Sequence, residues 1–326
     1  MTKPKTPRGI RRRIMSAGLL LLLLVAGWRL NWLGIKHDWP DATGWSAIPE
    51  AQRSTETSDH LPALRAGWPV LHWLGHAGFL MEWNGVRLLL DPNDAEWVNV
   101  CRRSMTPPAP ASTWGRIDAA VISHGHQDHL VTSTLRSVPT LDCIVLPAGS
   151  EEYVRGIRPE PATRIVGAVL HEPIHVGSVE IIAVPAAHNG ARNHPWASDK
   201  KAFGYILRSG GETVYFAGDT GFANDFAGIR DRYHPSLAIL PIGAFAPRFP
   251  LRIHHMDPAQ AVEAARVLAV DRVVPCHFGT FTLTLDYPST ALPLFARAAA
   301  AQSQPWVMPA FRAAAATSTS IPETSP

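Results

Sequence analysis

Four potential metal ligands are packed into six residues. His124, His126, Asp128 and His129 lie in "AAVISHGHQDHLVTSTL", which begins at Ala119. Imidazole nitrogens and carboxylate oxygens are the donors taken by zinc and related divalent ions. His124 and His126, two apart in an extended segment, can point to one side and share an ion. Asp128 and His129, past the turn, can serve a second. One cluster cannot close two sites, so further donors are expected at the ends of later strands. Three residues qualify: His188 after "VEIIAVPAA", Asp219 after "TVYFAG" and His277 after "RVVPC". Among 15 histidines, an isolated one is more often a surface or satisfied core residue than a ligand. An HxHxDH run with three further donors at strand ends is a far rarer coincidence, and the pattern predicts a metal centre.

Such donors need a scaffold. The apolar run "DAAVIS" predicts a strand ending near Ser123, and "HLVTSTLRS" predicts a helix start. The cluster then sits on a strand-to-helix loop, where side chains converge and a helix N-terminus favours anions. Other strands are expected at "VLHWLG", "FLMEW", "VRLLLD", "CIVLP", "VEIIAV", "FGYILR", "TVYFAGD", "LAILPIG" and "RVVP". "MDPAQAVEAARVLAV" predicts a helix with Asp257 as N-cap and Pro258 at N1, and "LPLFARAAAA" a last helix. Strands in two batches with interspersed helices predict an α/β fold of two packed sheets with helices outside.

From about Trp68 to Thr284 the chain resembles the metallo-β-lactamase superfamily, whose signature is HxHxDH. More narrowly, "WLGHAGFLMEWNGVRLLLDP", "ISHGHQDHL", "YFAGDTGF", "LPIGAFAPR", "HHMDPAQAV" and "HFGTFTL" resemble the branch of N-acyl-phosphatidylethanolamine-hydrolysing phospholipase D and its bacterial relatives. The resemblance implies an αββα sandwich of two mixed β-sheets, the metallo-β-lactamase fold, over residues 67–312. It also implies two divalent metal ions, with zinc the expected identity. His124, His126 and His188 would bind the first ion, Asp128, His129 and His277 the second, and Asp219 would bridge them.

The implied reaction belongs to lipid metabolism: phosphodiester hydrolysis of N-acyl-phosphatidylethanolamine-like phospholipids. Two ions roughly 3.5–4 Å apart would share the attacking hydroxide and offset negative charge on the phosphoryl group. Asp128 is expected to bind the second ion and help orient the nucleophile. His255 in "HHMDP" matches a histidine that the family places near the substrate phosphate. It is expected to bind phosphate or protonate the leaving group, with capping of the following helix loop as its plain alternative. His76 in "LGHAG" and Asp91 in "LLLDP" are expected at strand ends facing the site, Asp91 as an acceptor for a ligating histidine. Buried structural roles stay open for both, and His254 is expected to be incidental. One stretch departs from the branch. Its phospholipases follow the third-motif histidine with Trp, whereas Asn189 and Gly190 follow His188 here. That loop is expected to border the substrate pocket, so the departure leaves the metal donors intact and the lipid specificity open.

The remaining composition narrows the partners. Of 326 residues, 46% are hydrophobic and 17% charged, which suits a large core and argues against overall disorder. The net charge of +3 is misleading, because six cations (Lys3, Lys5, Arg8, Arg11, Arg12, Arg13) lie in the first 13 residues with no acidic one. Setting them aside leaves 24 of the 30 Lys and Arg against 27 Asp and Glu. A body with that balance is not expected to bind nucleic acid. Cys101, Cys143 and Cys276 form no CxxC pair and are expected to be core residues.

After Arg13, "IMSAGLLLLLLVAGW" is an apolar run of 15 residues, Ile14 to Trp28, flanked by Arg29 and Trp32. It predicts a transmembrane helix over about residues 14–33, anchoring the protein in a membrane with a cytoplasmic N-terminus and the catalytic body on the periplasmic or extracellular side. A cleaved signal peptide and a secreted body is the alternative, and a buried globular helix the third. Residues 1–36 thus read as a basic N-terminus with an anchor or signal, 37–66 as a linker and 313–326 as a disordered tail.

Competing functions are a lactone or other ester hydrolase of the same superfamily, a β-lactamase, and a nuclease, which the charge balance disfavours. A non-catalytic metal-binding protein is disfavoured because all seven donor positions are filled.

Overall fold

Alternation of apolar side chains sets the layers. Along Val86–Leu90, Leu88 and Leu90 face one buried cluster and Leu89 another. Ala119 and Val121 likewise face the first cluster, and Ala120 and Ile122 the second. Successive strand side chains point to opposite faces, so strands apolar on both faces must be covered on both. The first cluster joins these strands to Ile181, Ala183, Tyr205 and Leu207 of a second sheet. The second packs Leu130, Leu135 and Trp114 on the outer face, around the helix Thr132–Ser137.

The computed structural model describes residues 66–105, 108–157, 163–192 and 200–311. Its strands are β1 (Val70–Gly75), β2 (Gly78–Trp83), β3 (Val86–Leu90), β4 (Trp97–Val98), β5 (Cys101–Arg102), β6 (Arg116–Ile117), β7 (Ala119–Val121), β8 (Thr140–Leu141), β9 (Cys143–Pro147) and β10 (Arg164–Ala168). After them come β11 (Pro173–Val176), β12 (Val179–Asn189), β13 (Lys201–Ser209), β14 (Glu212–Phe216), β15 (Leu237–Pro241), β16 (Arg272–Cys276) and β17 (Ala310–Phe311). One sheet has the order β10-β9-β7-β3-β2-β1-β17 and the other β11-β12-β13-β14-β15-β16. Both are mixed. β3, β7, β9 and β10 pair in parallel, as do β14, β15 and β16, while hairpins join β1 to β3 and β11 to β14 in antiparallel fashion. The architecture is an α/β sandwich.

The helix Pro258–Leu268 forms as its sequence requires. The Asp257 carboxylate accepts from Gln260 N at 2.9 Å, and the Gln260 side chain accepts from Asp257 N at 3.2 Å, which satisfies two otherwise orphaned donors. Behind the cap, Ala261, Val262, Ala265 and Leu268 are buried. Ala291–Ala301 packs beside it, with Leu292 and Phe295 buried.

Several expectations need correction. β7 ends at Val121, and the helix after the histidine cluster begins only at Thr132. The cluster therefore lies in irregular chain, with no helix start to favour an anion. His188 lies inside β12, which runs on to Asn189 because its last residue re-pairs with Lys201 beyond a register shift. β10, β11 and β17 carry no strand signal of their own, and the helix Phe226–Tyr233 is concealed by its internal Gly228 and polar face.

The expected transmembrane helix, and with it the membrane-anchored localisation, is also corrected. Among the described residues no helix is long and apolar enough to cross a membrane. The longest have 11 residues, about 16 Å at 1.5 Å per residue, against a hydrocarbon core of about 30 Å. The apolar run at residues 14–33, the linker up to residue 65 and the tail from 313 lie outside the described residues.

Candidate metal centre

Strand direction brings the donors to one rim. β3, β7, β12, β14 and β16 all deliver their C-terminal ends to it: Asp91 follows β3, the histidine cluster follows β7, His188 nearly ends β12, Asp219 follows β14 and His277 follows β16. His76 occupies the turn between β1 and β2. Its carbonyl accepts from His277 N at 2.9 Å, which joins the two sheets at the site. His76, Asp91 and His277 have φ of +53°, +38° and +59°. Non-glycine residues seldom occupy this left-handed region, and tertiary contacts must hold them there.

The donor atoms form four overlapping groups, each within 4.8 Å: His124, His126 and His188; His76, Asp128, His129 and His277; His124, His129 and Asp219; and His188, Asp219 and His255. The first joins the three residues expected to hold one ion. The second joins those expected to hold the other and adds His76. Asp219 Oδ2 lies 3.2 Å from His129 Nε2, 3.1 Å from His277 Nε2 and 3.9 Å from His188 Nε2, between the two groups. Asp128 Oδ2 is 3.5 Å from His277 Nε2 and 3.4 Å from His129 Nε2.

Four of the histidines have one nitrogen committed away from the centre. His129 Nδ1–H donates to Asp91 Oδ2 at 2.7 Å. The Ser123 hydroxyl donates to the same carboxylate, so its oxygen accepts from His124 Nδ1–H at 2.9 Å. His188 Nδ1–H donates to the His254 carbonyl at 3.0 Å, and His126 Nε2–H to Asn189 Oδ1 at 3.1 Å. A neutral imidazole carries one N–H and one lone pair, so each bond leaves the other nitrogen facing inward, as a lone pair on His124, His126 and His188 and, on His129, once its second proton is lost. His188 Nε2 and His126 Nδ1 accordingly face each other at 3.2 Å.

The electrostatics divide the cluster. Burial, reinforced by neighbouring imidazoles, pushes the pKa of His124 and His188 well below the ordinary value and lowers that of His126. Burial would lower His129 and His277 as well. The nearby carboxylates outweigh it, led by Asp219, and hold His129 well above the ordinary value and His277 at about 9. Burial opposes charge on Asp128 and Asp219, but His129 and His277 hold both carboxyls well below the usual range. The donor set fits a divalent cation. The buried His124, His129 and His277 Nε2 atoms and Asp219 Oδ1 have no hydrogen-bond partner. Such atoms cost about 1–3 kcal/mol each when left unpaired, and one kind of ligand, a cation, would satisfy them all.

Several contributors were not read from the sequence. Ser123 and Asn189 orient histidines, and His254 acts through its backbone carbonyl. Asn93 Nδ2 donates to the Asp128 carbonyl at 3.0 Å, and the buried Arg103 donates to Asn93 O at 2.9 Å. Arg192 Nη1 donates to Gly125 O at 3.3 Å and Leu130 O at 2.7 Å, spanning the histidine loop. Only Ser123 and Asn189 left a signal, by adjoining donors.

Residues 87–278, more than half of the chain, match the family described as "Beta-lactamase superfamily domain". The chain belongs to this superfamily. Among relatives of this superfamily member, the metal-dependent hydrolase of Pyrobaculum arsenaticum is 32% identical over 229 residues, covering 67% of this chain and 88% of that protein. N-acyl-phosphatidylethanolamine-hydrolyzing phospholipase D 1 of Caenorhabditis elegans is 29% identical over 232 residues, 66% of this chain. The match spans 65% of the worm protein's length. Among solved structures, the metallo hydrolase Igni18 of Ignicoccus hospitalis aligns with a TM-score of 0.53 and 25% identity, over 74% of this chain and 95% of that one. The isothiocyanate hydrolase from Delia radicum gut bacteria shares the fold, with a TM-score of 0.59 and 18% identity over 74% of this chain and 96% of that one. Family membership and the His/Asp cluster together make the protein a metal-dependent hydrolase of the metallo-β-lactamase superfamily.

Proposed function

We propose that the protein is a phosphodiesterase of phospholipase D type that cleaves N-acyl-phosphatidylethanolamine-like phospholipids. The observation that carries this reading is the 29% identity to the Caenorhabditis elegans phospholipase over 232 residues. His124, His126 and His188 would hold one divalent ion and Asp128, His129 and His277 a second, with Asp219 between them. Imidazole and carboxylate donors favour zinc. Bound there, such ions supply a lowered water pKa and an offset for negative charge on a phosphoryl group.

The chain's own residues orient and recognise. His76 is neutral, with burial holding its pKa down to about 3. It donates Nε2–H to Asp128 Oδ2 at 2.8 Å and so fixes the carboxylate that faces the second group. His255 has a side chain 13% exposed, with Nδ1 3.9 Å from Asp219 Oδ2. Burial lowers its pKa to about 4, so at neutral pH it offers an uncharged N–H. That suits a hydrogen bond to a phosphate oxygen better than proton donation to the leaving group. A small recess of mixed lining borders His76 and His277, where Phe278, Phe281 and Leu283 lie beside Thr284, Asp286 and Tyr287.

The test is turnover by the purified, zinc-loaded chain with N-acyl-phosphatidylethanolamine in detergent micelles. Release of phosphatidic acid is expected. Hydrolysis of lactones without phosphodiester cleavage would overturn the reading in favour of the ester hydrolase.

A further inference from the structure

We infer that Asn189 is a positioning residue that holds the His126 ring and decides which of its nitrogens faces the His/Asp centre. The inference rests on the metal reading proposed above, but not on its substrate. Asn189 is the last residue of β12 and pairs with Lys201 of β13. Its Oδ1 lies 3.1 Å from His126 Nε2. A carboxamide oxygen only accepts, so the contact selects the neutral ring with its proton on Nε2 and its lone pair on Nδ1.

The backbone around this contact is built for close approach. Gly125, between His124 and His126, donates its N–H to Gly190 O at 3.0 Å, and Gly190 donates to Lys200 O at 3.1 Å. A Cβ on Gly125 would lie 2.5 Å from Gly190 O, and one on Gly190 only 1.9 Å from Lys201 O. Only glycine fits either position, and the Gly190 backbone thereby seats the Asn189 side chain against His126. On its other side, His126 Nδ1 is 3.2 Å from His188 Nε2. The His188 nitrogen also presents a lone pair, because its Nδ1–H is given to His254 O. Two lone pairs at that distance repel, so in the metal-free protein the Asn189 acceptor must hold the proton on Nε2 against that repulsion. Asn189 thus removes the proton from the side of His126 where a cation would be needed.

Two measurements test this. The first is ¹⁵N-edited NMR of the metal-free wild-type chain, in which His126 is expected to carry its proton on Nε2. A proton on Nδ1 would overturn the inference even if the protein bound no metal or failed to hydrolyse phospholipid. The second is chelator competition with Zn²⁺ alone for wild type, Asn189→Leu and Asn189→Asp. Removing the acceptor is expected to weaken one ion's binding by roughly 10- to 100-fold and leave the other unchanged, as for other partners of ligating histidines. Asn189→Asp, which keeps an acceptor oxygen, is expected to restore most of the affinity. Equal affinity in wild type and Asn189→Leu, or equal weakening of every ion in Asn189→Leu and Asn189→Asp alike, would reduce Asn189 to a strand residue.

Discussion

His129 donates Nδ1–H to Asp91 across 2.7 Å, between two side chains with no solvent exposure. The same carboxylate accepts from Ser123 N at 2.7 Å and from the Ser123 hydroxyl that orients His124. One buried acid thus sets the inward-facing nitrogen of a donor in each of the two proposed ion sites.

Replacing Asp91 by Ala is therefore expected to act on both stability and metal. Three donors would lose their acceptor in a dry environment, and each buried unpaired group costs about 1–3 kcal/mol. Zinc affinity should fall roughly 10- to 100-fold. Urea denaturation and chelator competition on the same preparation measure the two effects. A variant as stable as wild type with unchanged zinc binding would refute the shared role.

Asp219→Asn keeps the shape of the side chain and removes the charge that faces His129 and His277. Bound metal and hydrolysis are expected to fall together, which mass-spectrometric metal analysis beside the phosphatidic acid assay would register. Full activity at full metal content would exclude Asp219 from the centre.

Metal uptake should depend on pH with a definite sign. In the metal-free protein His277 has its pKa raised to about 9 and His129 is raised well above its ordinary value, so both rings carry a second proton at neutral pH. An ion must displace those protons, and zinc affinity is expected to rise with pH up to about 9, by as much as about tenfold per unit for each proton released. Calorimetry in buffers of different ionisation enthalpy would count the protons. Affinity that is flat between pH 6 and 9 would contradict the raised values.

Gly190→Ala is expected to destabilise the fold by roughly 1–3 kcal/mol or more, since the new methyl meets Lys201 O and the backbone must shift. The shift would also move the His126 loop through Gly125. Thermal unfolding of the metal-free variant isolates the packing cost from any loss of metal.

How much could be read in advance varied with the kind of interaction. Asp257 and Gln260 announced their helix, because capping is local and its partners are three residues apart. The edge strand β11 did not announce itself. "PIHV" is short, two of its four residues are exposed, and it becomes a strand only by pairing with β12. Tyr205 was equally silent. Its hydroxyl donates to the Ile122 carbonyl at 2.9 Å, and Phe203 N donates to Ser123 O, so the second sheet braces the strand that leads into the cluster. His254, read as incidental, holds His188 through a backbone carbonyl, which no residue type advertises.

The sequence by itself determined the chemistry on offer. Seven imidazole and carboxylate donors, spaced at the ends of apolar runs, predict a metal centre, because side-chain type and strand periodicity are local properties. Only the tertiary structure decided which donors meet and which atom each presents. Asp219 reaches His129 and His277 because parallel strands from two sheets end at one rim. The left-handed backbones of His76, Asp91 and His277 are set by tertiary contacts such as the His277 N–H to His76 O bond, and the nitrogens chosen by Asp91, Ser123, Asn189 and the His254 carbonyl depend on bonds between residues up to 66 positions apart. The chain can make those contacts only when folded.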